Sequence, residues 1–273
     1  MTVADHRVPV VRAEHVAFTY TPGVPVLTDI SFEVHRGEVL MILGANGCGK
    51  STLMRTLLNE QRRSSGLITL DGTDIATLKP VEMARRVAMV FQDHHAPFPF
   101  SVMDVVSMGR APHLRAFGTP SRGDVRLCEE ALEIVGLGRL RDETYTLLSG
   151  GERQLVLIAR ALAQQTELVM MDEPTSHLDY RNAAVIIKTA NQLAREQGKA
   201  VIIVTHLPDQ AFYYPSKAAL MKGGRFLSYG DSREVLTEEN LSEIYDMGIR
   251  VLTTRDEVTD EEVVMCRPVL DTL

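Results

Sequence analysis

Eight consecutive residues constrain this chain more than any others. Gly44-Ala45-Asn46-Gly47-Cys48-Gly49-Lys50-Ser51 fits GxxxxGK[ST] at every fixed position. It follows the apolar run Val39-Leu40-Met41-Ile42-Leu43 and precedes a helical pattern over 51–58. An unbroken apolar pentad reads as a strand buried on both faces. The glycines let successive backbone N–H groups turn inward, and the helix points the positive end of its dipole at the same spot. Such a turn holds phosphate. Lys50 brings a point charge to the outer phosphates, and Ser51, followed by Thr52, brings a hydroxyl to Mg²⁺. The pattern implies a nucleoside triphosphate without separating transporters from kinases or GTPases.

Around this turn, short apolar runs alternate with helical patterns, which predicts an α/β architecture. Strands are expected at 67–70, 87–91, 168–171 and 200–204, and a hairpin at Gly223-Gly224. Between 93 and about 138 the texture changes. Prolines 97, 99, 112 and 120 interrupt it, Ser101 is placed to cap a short helix, and a longer helix is expected from 121 to 135, with Gly136 as its stop. This reads as a helical insertion in the α/β core. A further helix is expected over 179–197, ended by Gly198. Residues after Gly248 contain two strand-like pieces and no usable motif.

Two strand ends carry the chemistry. Leu168-Val169-Met170-Met171 runs into Asp172 and Glu173. Asp172 is placed to hold the Mg²⁺ shell, and Glu173 to polarise an attacking water, a role worth about 10²–10⁴ in rate. His206 closes the 200–204 strand, where its imidazole reaches toward phosphate or Glu173; α/β sheets bind ligands at such strand ends. A second anion-binding helix start appears at Leu148-Ser149-Gly150-Gly151-Glu152-Arg153-Gln154, where Ser149 caps and two glycines expose N–H groups.

LSGGERQ resembles the signature motif of the ATP-binding domains of ABC proteins, and the resemblance runs over about residues 10–240. It implies a P-loop NTPase (RecA-like) core with an antiparallel β subdomain and an inserted helical subdomain at about 93–163. The domain would cover 1–250, with 251–273 as an extension. In that family two domains pack head to tail, so one phosphate turn per chain implies a homodimer. ATP would then lie between Gly44, Asn46, Gly47, Cys48, Gly49, Lys50, Ser51 and Thr52 of one chain and Ser149, Gly150 and Gly151 of the other. Tyr20 resembles the aromatic that stacks on adenine. Gln92 resembles the glutamine that touches Mg²⁺ and the attacking water. Ser176-His177-Leu178-Asp179 resembles the loop that crosses to the partner's site. Cys48, at a helix start, is expected to have a lowered thiol pKa.

The runs Met83-Ala84-Arg85-Arg86-Val87-Ala88-Met89-Val90 and 94–113, with its GRAPH element, resemble importers of ferric siderophores, haem and cobalamin, and the Phe98-Pro99-Phe100-Ser101-Val102-Met103-Asp104-Val105-Val106-Ser107-Met108-Gly109-Arg110 run also resembles importers of molybdate or tungstate. There this region forms the groove for a helix of the membrane subunit. The resemblance implies two permease subunits, an indirectly engaged substrate-binding protein and a peripheral place on the cytoplasmic face of the membrane. No apolar run approaches the ~20 residues of a membrane span, and 1–10 lacks a signal-peptide core. The net charge of -7 argues against nucleic acid and against direct attraction to anionic lipid. Cys48, Cys128 and Cys266 match no metal or disulfide spacing. Another reading, a soluble ABC ATPase that assembles complexes such as an iron–sulfur scaffold, shares every catalytic residue.

Overall fold

A computed structural model describes residues 8–91, 98–115, 118–176, 178–213, 217–258, 260 and 262–270. In chain order the elements begin with β1 (Val11–Thr21), β2 (Val24–Val34), β3 (Val39–Leu43), α1 (Lys50–Leu57), β4 (Ser65–Leu70), β5 (Thr73–Asp74), α2 (Pro80–Ala84) and β6 (Val87–Val90). The middle of the chain is helical, with α3 (Val102–Ser107), α4 (Arg122–Ile134) and α5 (Gly150–Ala163). Then follow β7 (Leu168–Asp172), α6 (Tyr180–Arg195), β8 (Ala200–Thr205), α7 (Pro208–Ala211), β9 (Lys217–Lys222), β10 (Arg225–Asp231), α8 (Ser232–Val235), α9 (Glu238–Tyr245), β11 (Ile249–Arg255) and β12 (Glu262–Pro268).

The strands form three sheets. One is antiparallel, in the order β2-β1-β4-β5, and the C-terminal β11–β12 hairpin stands by itself. The central sheet runs β10-β9-β3-β8-β7-β6, parallel except for β10. Its apolar strands are buried on both faces, as unbroken runs require. Successive side chains alternate between two cores. Leu40 and Ile42 of β3 and Ile202 and Val204 of β8 join the antiparallel sheet and Leu53, Met54 and Leu57 of α1. Met41 and Leu43, with Val201 and Ile203, face the other way onto α5 and α6. The phosphate turn therefore leaves the middle strand of a sheet clamped from both sides.

The helical stretch takes the predicted shape. Ser101 and Ser121 each accept from the N–H three residues on, at Asp104 and Asp124, while those carboxylates accept from the serine N–H groups. These reciprocal caps satisfy donors that helix starts leave unpaired. Gly136, at φ 73, ends α4 as expected.

The Gly109-Arg110-Ala111-Pro112-His113 element has a structural reason. It forms a 3-10 turn on the C-terminal end of α5. A Cβ on Gly109 would meet the Arg160 carbonyl oxygen at 2.2 Å. Arg110 donates to the Ala163 carbonyl at 2.7 Å, and His113 Nε2 lies 2.8 Å from the Gln164 carbonyl. Cationic and N–H donors at a helix C-terminus complement its unpaired carbonyls and its dipole. The Arg110 guanidinium, nearly buried, is fixed in turn by Asp124 Oδ1 at 2.8 Å.

Asp124 sets an acid limit on this clamp. The Ser121 hydroxyl and then Arg110 hold its carboxyl down at about 2, below the ordinary 3.8. A depressed folded-state pKa adds stability that is complete above the unfolded value and lost as pH falls through the folded one. Asp124→Asn is therefore expected to lower the Tm by about 2–6 °C at pH 7. The gap to wild type should narrow below about pH 4 and close near pH 2, as thermal melts across pH will show.

Candidate active site

The phosphate turn is shaped by what presses on it from outside. A Cβ on Gly44 would stand 2.4 Å from the Met221 carbonyl oxygen, and one on Gly49, at φ 111, would meet the Met221 methyl at 2.9 Å. Gly224 N–H donates to the Cys48 carbonyl at 3.0 Å, and the Gly224 carbonyl accepts from Thr28 N–H at 2.8 Å. The predicted Gly223-Gly224 hairpin thus acts as a buttress for the turn.

Within the turn, the buried Lys50 ammonium donates to the Gly44 and Ala45 carbonyls at 2.7 and 3.0 Å. This keeps a cation satisfied where water is scarce, and phosphate oxygens compete for the same donor. Asn46, Gly47, Gly49, Lys50, Ser51, Thr52 and Glu173 line one cleft of about 400 Å³. Tyr20 marks its edge, half exposed, with its hydroxyl 3.4 Å from Thr52 Oγ1 and its ring edge-on to Phe18. An open aromatic face beside a phosphate cleft fits a base that stacks.

Asp172 lies at the foot of the cleft. Burial pushes its carboxyl up, and a hydrogen bond from Ser51 and the Lys50 charge pull it back. A half-buried carboxylate joined to a hydroxyl is a donor pair suited to a hard, oxygen-seeking cation, so these residues fit Mg²⁺.

The parallel register sets Glu173 beside His206. Asp172 stands beside Val204, and Glu173 N–H donates to the Val204 carbonyl at 2.9 Å, so β7 and β8 end side by side. Glu173 has φ 46, a left-handed conformation that costs about 1–3 kcal/mol in a non-glycine residue and tends to mark functional sites. Its Oε2 accepts from Ser176 Oγ at 3.0 Å. His206 Nδ1 lies 3.0 Å from the same oxygen, at ion-pair distance but off the line of a hydrogen bond. Gln92 and His177 lie outside the described residues.

The remaining predicted residues form a second surface. Ser149 caps α5, accepting from Glu152 N–H at 3.3 Å. Gly150 is open, whereas a Cβ on Gly151 would meet Asn182 Nδ2 at 2.2 Å. Asn182 also bonds Asp179, whose carboxylate caps α6. Ser149, Gly150, Gly151 and Asp179 are thus brought together through Asn182, apart from the residues that line the phosphate cleft.

Gln210 escaped the sequence reading. Its Oε1 accepts from Thr175 Oγ1 at 2.8 Å and Thr205 Oγ1 at 3.3 Å, both buried threonines. It ties the turn after Glu173 to the strand end before His206. An amide four residues past a strand-end histidine is too weak a signal to find it. The expected fall in the Cys48 pKa is overturned. Burial raises it, and the nearby Lys50 charge only partly offsets that.

With this geometry in view, the comparisons are concordant. Residues 27–176 match the ABC transporter family. An uncharacterized ABC transporter ATP-binding protein of Haemophilus influenzae is 39% identical over 89% of this chain and 91% of its own length. The hemin import ATP-binding protein HmuV of Rhodococcus jostii is 38% identical, over 88% and 81% of the two chains. Among solved structures, a metal-chelate type ABC transporter in an inward-facing conformation superposes with a TM-score of 0.85 at 31% identity, covering 96% of this chain and 98% of that one. This chain belongs to the ABC transporter family, as an ATP-binding, ATP-hydrolysing subunit with the P-loop NTPase fold.

The raised Cys48 pKa has a direct readout. Alkylation of Cys48 is expected to be slower at pH 7.5 than in the unfolded chain, since only thiolate reacts and burial raises the thiol pKa. MgATP should slow it further, as peptide mapping of the label will show. Equal rates with and without nucleotide would remove Cys48 from the ATP cradle.

Proposed function

We propose that this chain is the motor subunit of an importer for a metal chelate, of the siderophore, haem or cobalamin type, or for a metal oxyanion such as molybdate. It works as a homodimer under two permease subunits at the cytoplasmic face of the inner membrane, with a substrate-binding protein engaged through the permeases. The observation that carries this reading is a cleft of about 600 Å³ bordered by Leu78, Met83, Met89, Phe91, Met108 and Pro112. Phe91 and Met108 stay 38% and 42% exposed, although large apolar side chains are normally covered. The cleft has the apolar border an amphipathic helix of a partner needs. No helix among the described residues is long and apolar enough to cross a membrane.

Relatives supply the cargo class. Besides the hemin import protein, a molybdate import ATP-binding protein of Haemophilus influenzae is 35% identical, and an iron(3+)-hydroxamate import ATP-binding protein of Bacillus subtilis is 32% identical. Dimerisation has support in a bacterial ABC transporter cassette solved as a dimer, with a TM-score of 0.72 at 26% identity.

In the mechanism, Lys50 exchanges its loop carbonyls for the outer phosphates. Ser51 and Asp172, with Gln92, would hold Mg²⁺, which neutralises phosphate charge when bound. Glu173 orients and deprotonates water, and His206 fixes that carboxylate and senses the terminal phosphate. Ser149, Gly150, Gly151 and Asp179 of the second copy close on the same nucleotide, so that hydrolysis and reopening alternate. Closure moves α3, which packs on α5, and with it the cleft edge formed by the 108–113 turn.

Two measurements check this. Glu173→Gln should reduce ATP turnover at least about 100-fold while keeping MgATP binding and accumulating a dimer in size-exclusion chromatography. A tagged chain extracted from membranes in mild detergent should bring down a polytopic membrane protein in stoichiometric amount. Recovery as a soluble complex with no membrane component would instead support the assembly ATPase.

A further inference from the structure

Tyr245 and Cys266, far along the chain from β8, lie against the segment that carries the catalytic histidine. His206 lies in the link between β8 and α7. Thr205 Oγ1 accepts from Leu207 N–H at 3.1 Å, and the Tyr245 hydroxyl donates to the His206 carbonyl at 2.9 Å. Behind them, the Cys266 N–H of β12 donates to the Asp209 carboxylate on α7. His206, Asp209, Tyr245 and Cys266 border one small cavity of about 220 Å³.

Tyr245 is well placed to act as a fixed point. It is the last residue of α9, and Asp246 ends that helix in a left-handed conformation, φ 52. Its ring packs against the core formed by α5, α6 and the central sheet. Burial pushes its hydroxyl well above the usual phenol range, so it stays a donor throughout the working pH range.

We infer that Tyr245 is a positioning residue for ATP hydrolysis, holding the His206 peptide so that the imidazole stays on Glu173. The inference rests on the catalytic reading of His206. The imidazole swings on two side-chain bonds from a Cα whose place the 206–207 peptide helps to set, so releasing that peptide shifts the origin from which Nδ1 reaches to 3.0 Å from Glu173 Oε2. With its carbonyl held by Tyr245 and the next N–H by Thr205, that peptide is fixed at both ends. Removing one hydroxyl frees one end and leaves the ring packing in place. Misplacing a catalytic group by about 1 Å can cost 10²-fold in rate, and partial release costs less. The C-terminal segment thereby becomes part of the active-site support.

The test compares Tyr245→Phe with Tyr229→Phe. Tyr229 also donates to a backbone carbonyl, that of Glu33 at 2.7 Å, but on the β2–β10 side of the fold, so it controls for the general loss of a tyrosine hydroxyl. Tyr245→Phe is expected to lower kcat about fivefold or more with the KM for MgATP within about twofold. It should also shift the His206 imidazole ¹H–¹⁵N signals, identified by their absence in His206→Ala. Tyr229→Phe should leave kcat and those signals unchanged. Wild-type kcat in Tyr245→Phe, equal losses in both variants, or a loss without movement of the His206 signals overturns the inference. His206→Ala separates the two levels. If it leaves hydrolysis intact, the catalytic role of His206 falls and this inference with it. If it removes hydrolysis while Tyr245→Phe does not, only the role of Tyr245 falls.

Discussion

Everything in this site depends on a loop that is braced from within and from outside. A phosphate cradle must leave its backbone N–H groups pointing into a cleft, so it forgoes the hydrogen bonds that stabilise ordinary turns. Here Lys50 supplies two bonds from within, to the Gly44 and Ala45 carbonyls, and the rest of the bracing comes from outside. The β9–β10 hairpin donates Gly224 N–H to the Cys48 carbonyl and presses the Met221 carbonyl against Gly44. Gly224 has φ 77, and a Cβ there would lie 2.1 Å from the Val26 carbonyl oxygen. The buttress is as tightly specified as the loop, and it joins both layers of the fold, because β9 pairs with β3 while Gly224 bonds Thr28 in β2.

The second constraint is the register of a parallel sheet. Strands that run side by side in one direction deliver their next residues to one edge. The β7–β8 pairing therefore brings Glu173 and His206 together without any sequence proximity. The left-handed backbone at Glu173 is the strain that turns its carboxylate toward the cleft, and Val204, Ser176 and Gln210 hold that strain in place. A catalytic carboxylate on a relaxed extended strand would keep the alternation of β7 and miss its position.

How much of this was legible in the sequence follows from how local each cause is. The strand–turn–helix of 39–58, the helix caps at Ser101 and Ser149 and the stop at Gly136 rest on local residues, and the structure has these elements where the sequence places them. The unbroken apolar strands gave the doubly covered sheet. Long β1 and β2, with irregular pairing near His15 and Asp29, both at positive φ, gave no clean alternation and were not placed as strands. The thiol of Cys48 was misjudged because a helix start is a local feature, whereas its burial against the core shared by the antiparallel sheet and α1 comes from elements far along the chain. Gln210 and Tyr245 stayed hidden for the same reason. Each acts across a tertiary contact, and neither residue type signals it.

The two half-sites of one chain are mechanically joined, and this bears on how a dimer would use them. Asn182 touches Gly151 of the signature helix and Asp179 of the crossing loop, and it lies on α6, whose start follows Glu173 by only seven residues. Rotation of α5 that moves the signature toward a partner's phosphate must push on Asn182, hence on α6 and the turn that carries Glu173. Gln210 extends the same chain of contacts to the strand end before His206. Occupation of the partner's nucleotide would in this way reach the catalytic carboxylate through packed side chains rather than through a flexible loop. The space for a methyl group at Gly151 is already filled by the Asn182 amide, so α5 and α6 meet there with no room between them.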